Sequence, residues 1–377
     1  MGQLNSIQSL RAVAALSVFI CHLFLIEAQE AERAEPLVSF ALRFAHGVDL
    51  FFVISGFVIV WVASDETVGW RASTNFMFAR ISRVYPLWWL FAIAAMLAFL
   101  ISDGMPWSID RLSRASTDGP THLIKSLLLV PHNHLPVLSV GWSLVHEIYF
   151  YVVFAVLILL LPAARRLAGI LAWGAVVAFG AAIGWSSETP VNYVELCFSP
   201  LTLEFIGGAL AAYLIKAGHH CFARTSVVFA LLGLIAVFLG FDNTLLRYLV
   251  DWSGSEPLPT VSFAWRRTWQ FGLPATMLVY GLVALEQQGV LRLRDTHPLV
   301  RIGDWSYALY LSHVLVIAAV SRLIYRRLDS GQLSATMVFV AVSVVLTLVS
   351  SAATYHWFER PVIALCKRYR WMSGSVP

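Results

Sequence analysis

The chain has 377 residues, of which 59% are hydrophobic and only 13% are charged. Soluble domains carry about 25% charged residues, so this composition excludes a soluble protein and favours an all-α, polytopic membrane helix bundle. The formal net charge of +4 comes from Lys and Arg residues spread over many short connections, not from one basic face. This pattern argues against a nucleic-acid partner and makes the lipid bilayer the first predicted partner.

Ten apolar segments are long enough to cross a bilayer. They are residues 10–28, 44–63, 84–102, 140–162, 167–185, 194–215, 225–240, 268–285, 303–325 and 333–358. The connections on one side are richer in Lys and Arg, which predicts that this side and both termini are cytoplasmic. We expect residues 1–365 to form one integral membrane domain and residues 366–377 a short cytoplasmic tail.

The first apolar segment contains one arginine and one histidine. Arg11 and His22 are eleven positions apart, which in an α-helix is about three turns and a rise of about 16 Å. The two side chains therefore share one helix face. With Arg11 at the membrane surface, His22 lies near the middle of a hydrocarbon layer about 30 Å thick, where ionisable groups are costly and usually functional.

Other ionisable residues are predicted at a similar depth. Counting about 1.5 Å per residue along spans of alternating direction places three residues near the plane of His22. They are Glu147, Glu204 and His313, whereas Asp49 lies nearer the outer side. Each of them could instead be a structural partner in an interhelical hydrogen bond, and both interpretations stay open for the single residues. Their convergence on one layer favours a functional site.

The stretch before the third span carries Arg80 and Arg83, three positions apart on one helix face. Paired guanidinium groups bind phosphates well, but the same residues could simply anchor the cytoplasmic surface. The segment that begins His146–Glu147 does not match the HExxH zinc pattern, because Phe150 occupies its last position. No other metal-ligand spacing is present, so we expect no metal.

Five motifs occur in one order along the chain. They are Leu10–Arg11–Ala12 leading to His22, Gly47–Val48–Asp49–Leu50–Phe51–Phe52, Arg80-x-x-Arg83-x-Tyr85–Pro86, Trp142–Ser143–Leu144 with Glu147, and Tyr307-x-x-Tyr310–Leu311–Ser312–His313. Together they resemble acyltransferase family 3, and within it the bacterial enzymes that O-acetylate exopolysaccharides. The resemblance runs from about residue 4 to residue 361. Two departures are His146 and the absence of a proline soon after Phe150–Tyr151.

The resemblance implies ten core helices in a bacterial inner membrane. It also implies acetyl-CoA as the acyl donor at the cytoplasmic side, and a glycan or lipid-linked sugar as the acceptor at the outer side. The motif residues of the family fall on Arg11, His22, Arg80, Arg83, Glu147 and His313 of this chain.

The chemistry of acyl transfer suggests a role for each of these residues. A thioester is already activated, so the enzyme must deprotonate a hydroxyl and stabilise an oxyanion. We expect His22 to act as general base, with Glu147 orienting it and Asp49 as the alternative carboxylate. We expect Arg11, Arg80 and Arg83 to hold the CoA phosphates. His313, Tyr310 and Ser143 are expected to donate to the oxyanion or hold the acceptor. A covalent acyl-histidine stays open beside direct transfer.

Two alternatives to a glycan O-acetyltransferase stay open at this point. Within the same family, the acceptor could be a small hydrophobic molecule such as a macrolide. From another class, a proton-coupled transporter could use the same histidines and carboxylates as a proton relay. The oligomeric state, including a homo-oligomer, is also open.

Overall fold

The structure is a computed structural model, and it describes residues 3–31, 35–101, 119–132, 134–186, 190–239, 263–328 and 332–372. Every regular element in these ranges is helical. The α-helices are α1 (Asn5–Glu30), α2 (Glu35–Leu42), α3 (Gly47–Ala63), α4 (Trp70–Ile101), α5 (Gly119–Leu128), α6 (Trp142–Leu160), α7 (Ala163–Ala182), α8 (Tyr193–Cys197), α9 (Thr202–Lys216), α10 (Ala223–Phe238), α11 (Phe263–Arg267), α12 (Leu273–Gln287), α13 (Pro298–Asp304), α14 (Ser306–Leu323), α15 (Leu333–Thr354) and α16 (Arg360–Met372). Short 3-10 segments cover Arg43–His46, Ser139–Gly141 and Tyr325–Arg327, and π-helical segments cover Thr268–Gly272 and Tyr355–Glu359.

Nine helical stretches of the described chain are long and apolar enough to cross a membrane. They confirm the prediction of a polytopic, all-α membrane bundle. The predicted span 225–240 corresponds instead to α10, a shorter apolar helix of 16 residues. Such a helix rises about 24 Å, less than the hydrocarbon thickness of about 30 Å. Residues 240–262 lie outside the described chain, so the placement of both termini on one side stays a prediction.

The helix α4 begins at Trp70, well before the predicted start of the third span at residue 84. Arg80, Arg83 and Pro86 therefore all lie inside one continuous helix. The apolar pattern marks only the part of a helix that suits lipid, so it could not show that the polar part before it is helical as well. At the other end of the chain, the predicted tail 366–377 is helical as far as Met372, and residues 373–377 lie outside the described part.

Contacts between residues divide the chain into two compact units. Unit 1 contains Met1–Ala14, His46–Val68 and Leu160–Arg301, and unit 2 contains Ala15–Ala45, Gly69–Leu159 and Ile302–Pro377. The boundary between Ala14 and Ala15 falls within α1. A single domain over residues 1–365 stays a prediction.

In unit 1, α3 and α9 pack with their backbones in direct contact. A Cβ atom added at Gly56 would lie 1.9 Å from the carbonyl oxygen of Phe205, and one added at Gly208 would lie 1.9 Å from that of Val53. Only glycine permits this approach, which is the usual way for membrane helices to gain close packing. The contact fixes the two helices whose first turns carry buried carboxylates.

The end of α3 is held by Arg166 of α7, whose side chain is fully buried. Its guanidinium donates to the backbone carbonyls of Ala63, Ser64 and Thr67, at distances of 3.3, 2.8 and 3.2 Å. Carbonyls at the end of a helix have no intrahelical donor, and a buried one needs a partner from elsewhere. Arg166 thus acts as a side-chain cap for α3.

In unit 2, aromatic side chains of α4 hold the end of α5. Tyr85 donates to the carbonyl oxygen of Leu128 at 2.8 Å, and the indole of Trp88 donates to that of Ser126 at 3.2 Å. Trp88 is fully buried beneath Gly141, where an added Cβ would lie 2.4 Å from the indole ring. The sequence thus fills the space between α4 and the start of α6 with one large ring.

Three histidines cluster around the start of α5 in unit 2. The ring of His122 lies 5.0 Å from that of His132 and 6.0 Å from that of His134, between centroids. His122 is buried, and its Nδ1 has no hydrogen-bond partner in the part of the chain that the structure describes. Burial and the neighbouring histidines lower the pKa of His122 to about 4. His122, the buried member of the cluster, is therefore uncharged at neutral pH.

Replacing Arg166 by Leu should lower the free energy of unfolding by about 3 kcal/mol, because it leaves buried carbonyls without donors. The adjacent Arg165 is exposed, so Arg165→Leu is a matched control that should have little effect. Unfolding in detergent mixtures measures both variants. Equal losses of stability for the two variants would show that Arg166 does not cap α3.

Acid should destabilise the chain through His122. An unfolded histidine titrates near pH 6.5, whereas the folded His122 has a pKa of about 4. Between these values the unfolded chain binds more protons, so the free energy of unfolding falls as the pH drops from about 6.5 to about 4. The midpoint of thermal unfolding, measured across this range, should fall more steeply for the native chain than for His122→Gln. The exposed His219→Gln is the control and should keep the native slope.

Candidate active site

The centre of the candidate site is a pair of histidines in unit 2. His22 lies on α1 and His313 on α14, and Nδ1 of His22 is 3.3 Å from Nε2 of His313. The ring centroids are 5.0 Å apart, and the planes meet at 63°. His313 is fully buried, whereas His22 is only partly so. The structure therefore joins two residues that depth counting placed in one layer.

Backbone contacts fix the protonation of both rings. Nδ1 of His22 lies 3.0 Å from the carbonyl oxygen of Val18, and Nδ1 of His313 lies 3.1 Å from that of Leu309. A carbonyl oxygen only accepts, so each Nδ1 carries the hydrogen, and each neutral ring has its lone pair at Nε2. The lone pair of His313 then accepts from Nδ1–H of His22. Nε2 of His22 keeps a lone pair that can take a proton from a substrate.

The end of α1 is attached to the turn between α14 and α15. The buried carboxylate of Glu27 accepts from the hydroxyl of Thr336 at 2.9 Å and from that of Tyr325 at 3.2 Å. One turn further on, Glu30 forms an ion pair with Arg326 at 2.7 Å. These bonds hold the helix that carries His22 against the helix that carries His313. The ion pair also gives Arg326 of this turn a structural partner.

Glu147 lies in a second polar group of unit 2, on α6. The hydroxyl of Tyr151, four residues further along the helix, donates to the Glu147 carboxylate. The guanidinium carbon of Arg80 lies 5.8 Å from the ring centre of Tyr151 and 5.3 Å from that of Phe76. Arg80 is buried, and Arg83 keeps more of its surface open. The structure thus connects Glu147 to Arg80 through Tyr151, and the prediction that Glu147 orients His22 stays a prediction.

Ser143 and Tyr310 meet at the start of α6. Their hydroxyl oxygens are 2.8 Å apart, and both lie within hydrogen-bond distance of the carbonyl oxygen of Val140, at 3.1 and 3.0 Å. Two hydroxyl protons serve these three contacts, so the group has no proton to spare for an oxyanion unless it rearranges. The ring of Tyr310 lies 6.0 Å from that of His313. The structure therefore supports a role in holding α14 beside α6.

Asp49 lies in unit 1 and is fully buried. The guanidinium of Arg267 donates to both of its oxygens, at 2.8 and 2.9 Å, and Nδ1 of His46 lies 3.2 Å away. Such a bidentate pair satisfies the geometry of both groups. Asp49 thus has a structural partner within its own unit. Its expected role as the alternative carboxylate that orients His22 stays a prediction.

Arg11 also belongs to unit 1, on the first part of α1. Its Nη1 donates to the side-chain oxygen of Gln8 at 3.1 Å. The start of this helix is capped by Glu286, which accepts from the backbone nitrogens of Asn5 and Ser6 at 2.8 and 3.0 Å. The helix is continuous from Asn5 to Glu30, as the shared face of Arg11 and His22 requires. Contact of Arg11 with CoA phosphates stays a prediction.

Sequence reasoning missed Arg267, His46 and the Glu27 contacts. Arg267 ends the short helix α11, just before the π-helical segment Thr268–Gly272. A buried carboxylate needs a cationic partner, so Asp49 in an apolar segment could have indicated that an arginine lies beside it. In the described ranges, no group of three or more His, Cys, Asp or Glu residues could hold a metal ion. That the protein uses no metal stays a prediction.

These features define a multi-pass helical membrane protein with a pair of histidines on two of its helices and a second polar group of tyrosine, glutamate and arginine. The model of acyltransferase family 3, described as an acyltransferase domain, matches residues 4–356. The chain therefore belongs to acyltransferase family 3, as the resemblance predicted, and is a membrane acyltransferase.

Among the curated relatives that match, two are similar to this chain over most of their own length as well. The exopolysaccharide production protein ExoZ of Rhizobium meliloti (strain 1021) is 30% identical over 347 residues, which cover 88% of this chain and 93% of ExoZ. The acyltransferase MdmB of Streptomyces mycarofaciens is 29% identical over 410 residues, which cover 98% of this chain and 94% of MdmB. No solved structure matches the chain.

Proposed function

We propose that the protein moves an acetyl group from acetyl-CoA to a sugar hydroxyl of an exopolysaccharide or another cell-envelope glycan, in a bacterial inner membrane. The observation that carries the proposal is the His22–His313 pair, which leaves one basic nitrogen on His22. The similarity to a protein named for exopolysaccharide production supports the choice of a glycan acceptor. Lipid-linked sugar is the form of glycan that a membrane-embedded site could reach.

The proposed reaction is a direct transfer. Nε2 of His22 takes the proton of the sugar hydroxyl while the hydroxyl oxygen attacks the thioester carbon. The new C–O bond forms, the C–S bond breaks, and the proton passes from His22 to the CoA thiolate. The charge that develops on His22 is stabilised through its Nδ1–H by the carbonyl of Val18 and by Nε2 of His313. His313 is thus a positioning residue, which differs from the oxyanion role expected from the sequence.

The arginines of α4 fit a phosphate-bearing acyl donor. Arg80 and Arg83 are one helix turn apart, and guanidinium groups bind phosphate oxygens through two parallel hydrogen bonds. Arg80 is fixed against two aromatic rings, which limits its freedom, and Arg83 is the more open of the two. We assign Arg83 to direct phosphate contact and Arg80 to the wall beside it, with Arg11 as a further candidate.

His22→Ala should reduce acetyl transfer by at least about 100-fold, the usual contribution of a general base. Membranes that contain equal amounts of native or variant protein are given labelled acetyl-CoA and polymeric or lipid-linked glycan. The readouts are label in the glycan and release of free CoA. His219→Ala, an exposed histidine outside the pair, is the control and should retain native activity. Label that survives His22→Ala would remove His22 from catalysis. No CoA release with any acceptor would favour the transporter.

His313→Leu should lower kcat about tenfold with an unchanged KM for acetyl-CoA, because it removes one of the two acceptors of the His22 Nδ1–H and leaves only the carbonyl oxygen of Val18. His313→Gln can return a carbonyl oxygen to the same place and should recover part of kcat. A variant that merely loosens the fold would change both constants and would not be rescued by Gln. Native kcat in His313→Leu would contradict the positioning role.

A further inference from the structure

A cavity of about 450 Å³ lies in unit 1, bounded by α9, α10, α12 and the π-helical segment. One wall comes from Leu203, Gly207, Leu210 and Leu214 of α9, whose spacing places them on a single helix face. The facing wall includes Leu273 and Met277 of α12. Most of the surface that the lining exposes to the cavity is apolar. From residue 203 to residue 214 the cavity follows α9 for about 16 Å, the length of an extended alkyl chain.

The rim of the cavity is open at the surface of two membrane-spanning stretches, Tyr193–Lys216 and Trp265–Gln287. Three rim residues, Leu214, Trp269 and Leu273, are 46%, 61% and 49% exposed. Within a bilayer this surface faces hydrocarbon and not water. A ligand that enters here therefore comes from the membrane and brings an apolar chain.

Glu204 is the one carboxyl group in the lining of this cavity, where the other polar side chains are the hydroxyls of Ser226, Thr268, Thr276 and Tyr280. Glu204 is only 1% exposed, and neither carboxylate oxygen has a hydrogen-bond donor among the described residues. Its polar neighbours are the carboxyl group of Asp49 and the hydroxyl of Thr268, and that hydroxyl also lies 3.2 Å from the carbonyl oxygen of Pro200, to which it donates. A buried carboxyl without donors costs free energy, and donors from a ligand would remove that cost.

We propose that this cavity binds a neutral glycolipid, with its hydrocarbon chain along α9 and a sugar hydroxyl donating to Glu204. An anionic headgroup fits less well, because Asp49 and Glu204 are neighbours and Arg267 already donates to both oxygens of Asp49. The proposal rests on the proposed function only in that such a glycolipid would present the acceptor hydroxyl. Binding itself requires neither acetyl-CoA nor turnover.

The test uses the full chain in phosphatidylcholine nanodiscs and a dodecyl glucoside with a photoactivatable diazirine in its chain. After illumination, mass spectrometry maps the labelled peptides. We expect labels on α9 and α12 at the cavity, removed by an excess of plain dodecyl glucoside. The comparison probe has the same chain with a phosphocholine headgroup, and we expect it to label the cavity much less.

Three variants sharpen the result. Leu210→Trp fills the cavity and should lower labelling about tenfold, whereas Leu232→Trp, on the exposed face of α10 outside the lining, should not. Glu204→Met should lower labelling by the glucoside probe about fivefold, the worth of one hydrogen bond, and leave the other probe unchanged. The midpoint of thermal unfolding is recorded for each variant. Competition on the native chain tests the site even if a variant does not fold.

Labels spread over all lipid-facing helices, or labelling equally reduced by the two Trp variants, would overturn the cavity as a binding site. Equal cavity labelling by the two probes would overturn the hydrogen bond from a sugar hydroxyl to Glu204 and assign the cavity to ordinary membrane lipid. His22→Ala separates this proposal from the proposed function, because cavity labelling should persist when acetyl transfer is lost. Absent transfer in the native chain with intact labelling would overturn only the enzymatic proposal.

Discussion

The hydrogen bond between His22 and His313 is the constraint on which the rest of unit 2 depends. A buried imidazole has two nitrogens that need partners, and each ring satisfies its Nδ1 with a carbonyl oxygen of its own helix. Each ring therefore has its lone pair at Nε2. The Nε2 lone pair of His313 accepts from the Nδ1–H of His22, whereas that of His22 has no acceptor role within the pair. The asymmetry makes one histidine the base and the other its support. It follows from backbone geometry and requires no carboxylate.

The pair can form only if α14 is held in place from several sides. Glu27 and Glu30 attach the end of α1 to the turn that follows α14. At the other end of α14, the hydroxyl of Tyr307 donates to the carbonyl oxygen of Val84 on α4 at 2.7 Å, and Tyr310 contacts the start of α6. The helix α14 therefore contacts α1, α4 and the start of α6 and fixes their positions relative to one another. Three residues of its motif therefore have two roles. His313 contacts His22, and Tyr307 and Tyr310 hold the helix in place.

The sequence was sufficient to predict the helical membrane class, nine of the long spans and the common depth of His22 and His313, because the rise of a helix is fixed. It could also indicate the local pair of Glu147 and Tyr151, which are four residues apart. Contacts between residues that are far apart in the sequence could not be predicted. Arg267 meets Asp49 from 218 positions away, after the undescribed stretch 240–262 and beside a π-helical segment that changes the helical register. A depth count cannot choose among neighbours in one layer. It therefore predicted Glu147 beside His22 and did not single out His313, which the structure places 3.3 Å from His22; the role of Glu147 stays a prediction.

Two buried carboxyl groups of unit 1, those of Asp49 and Glu204, have different hydrogen-bond partners. Asp49 and Glu204 are equally buried, yet Asp49 receives both arms of Arg267 while Glu204 receives no donor from the described residues. The fold even makes room for Glu204, because a Cβ at Gly272 would lie 2.6 Å from its Cγ. A residue needed only for packing could be leucine and would carry no desolvation cost. A carboxyl that is accommodated but not satisfied is suited to a partner that arrives with its own hydroxyl.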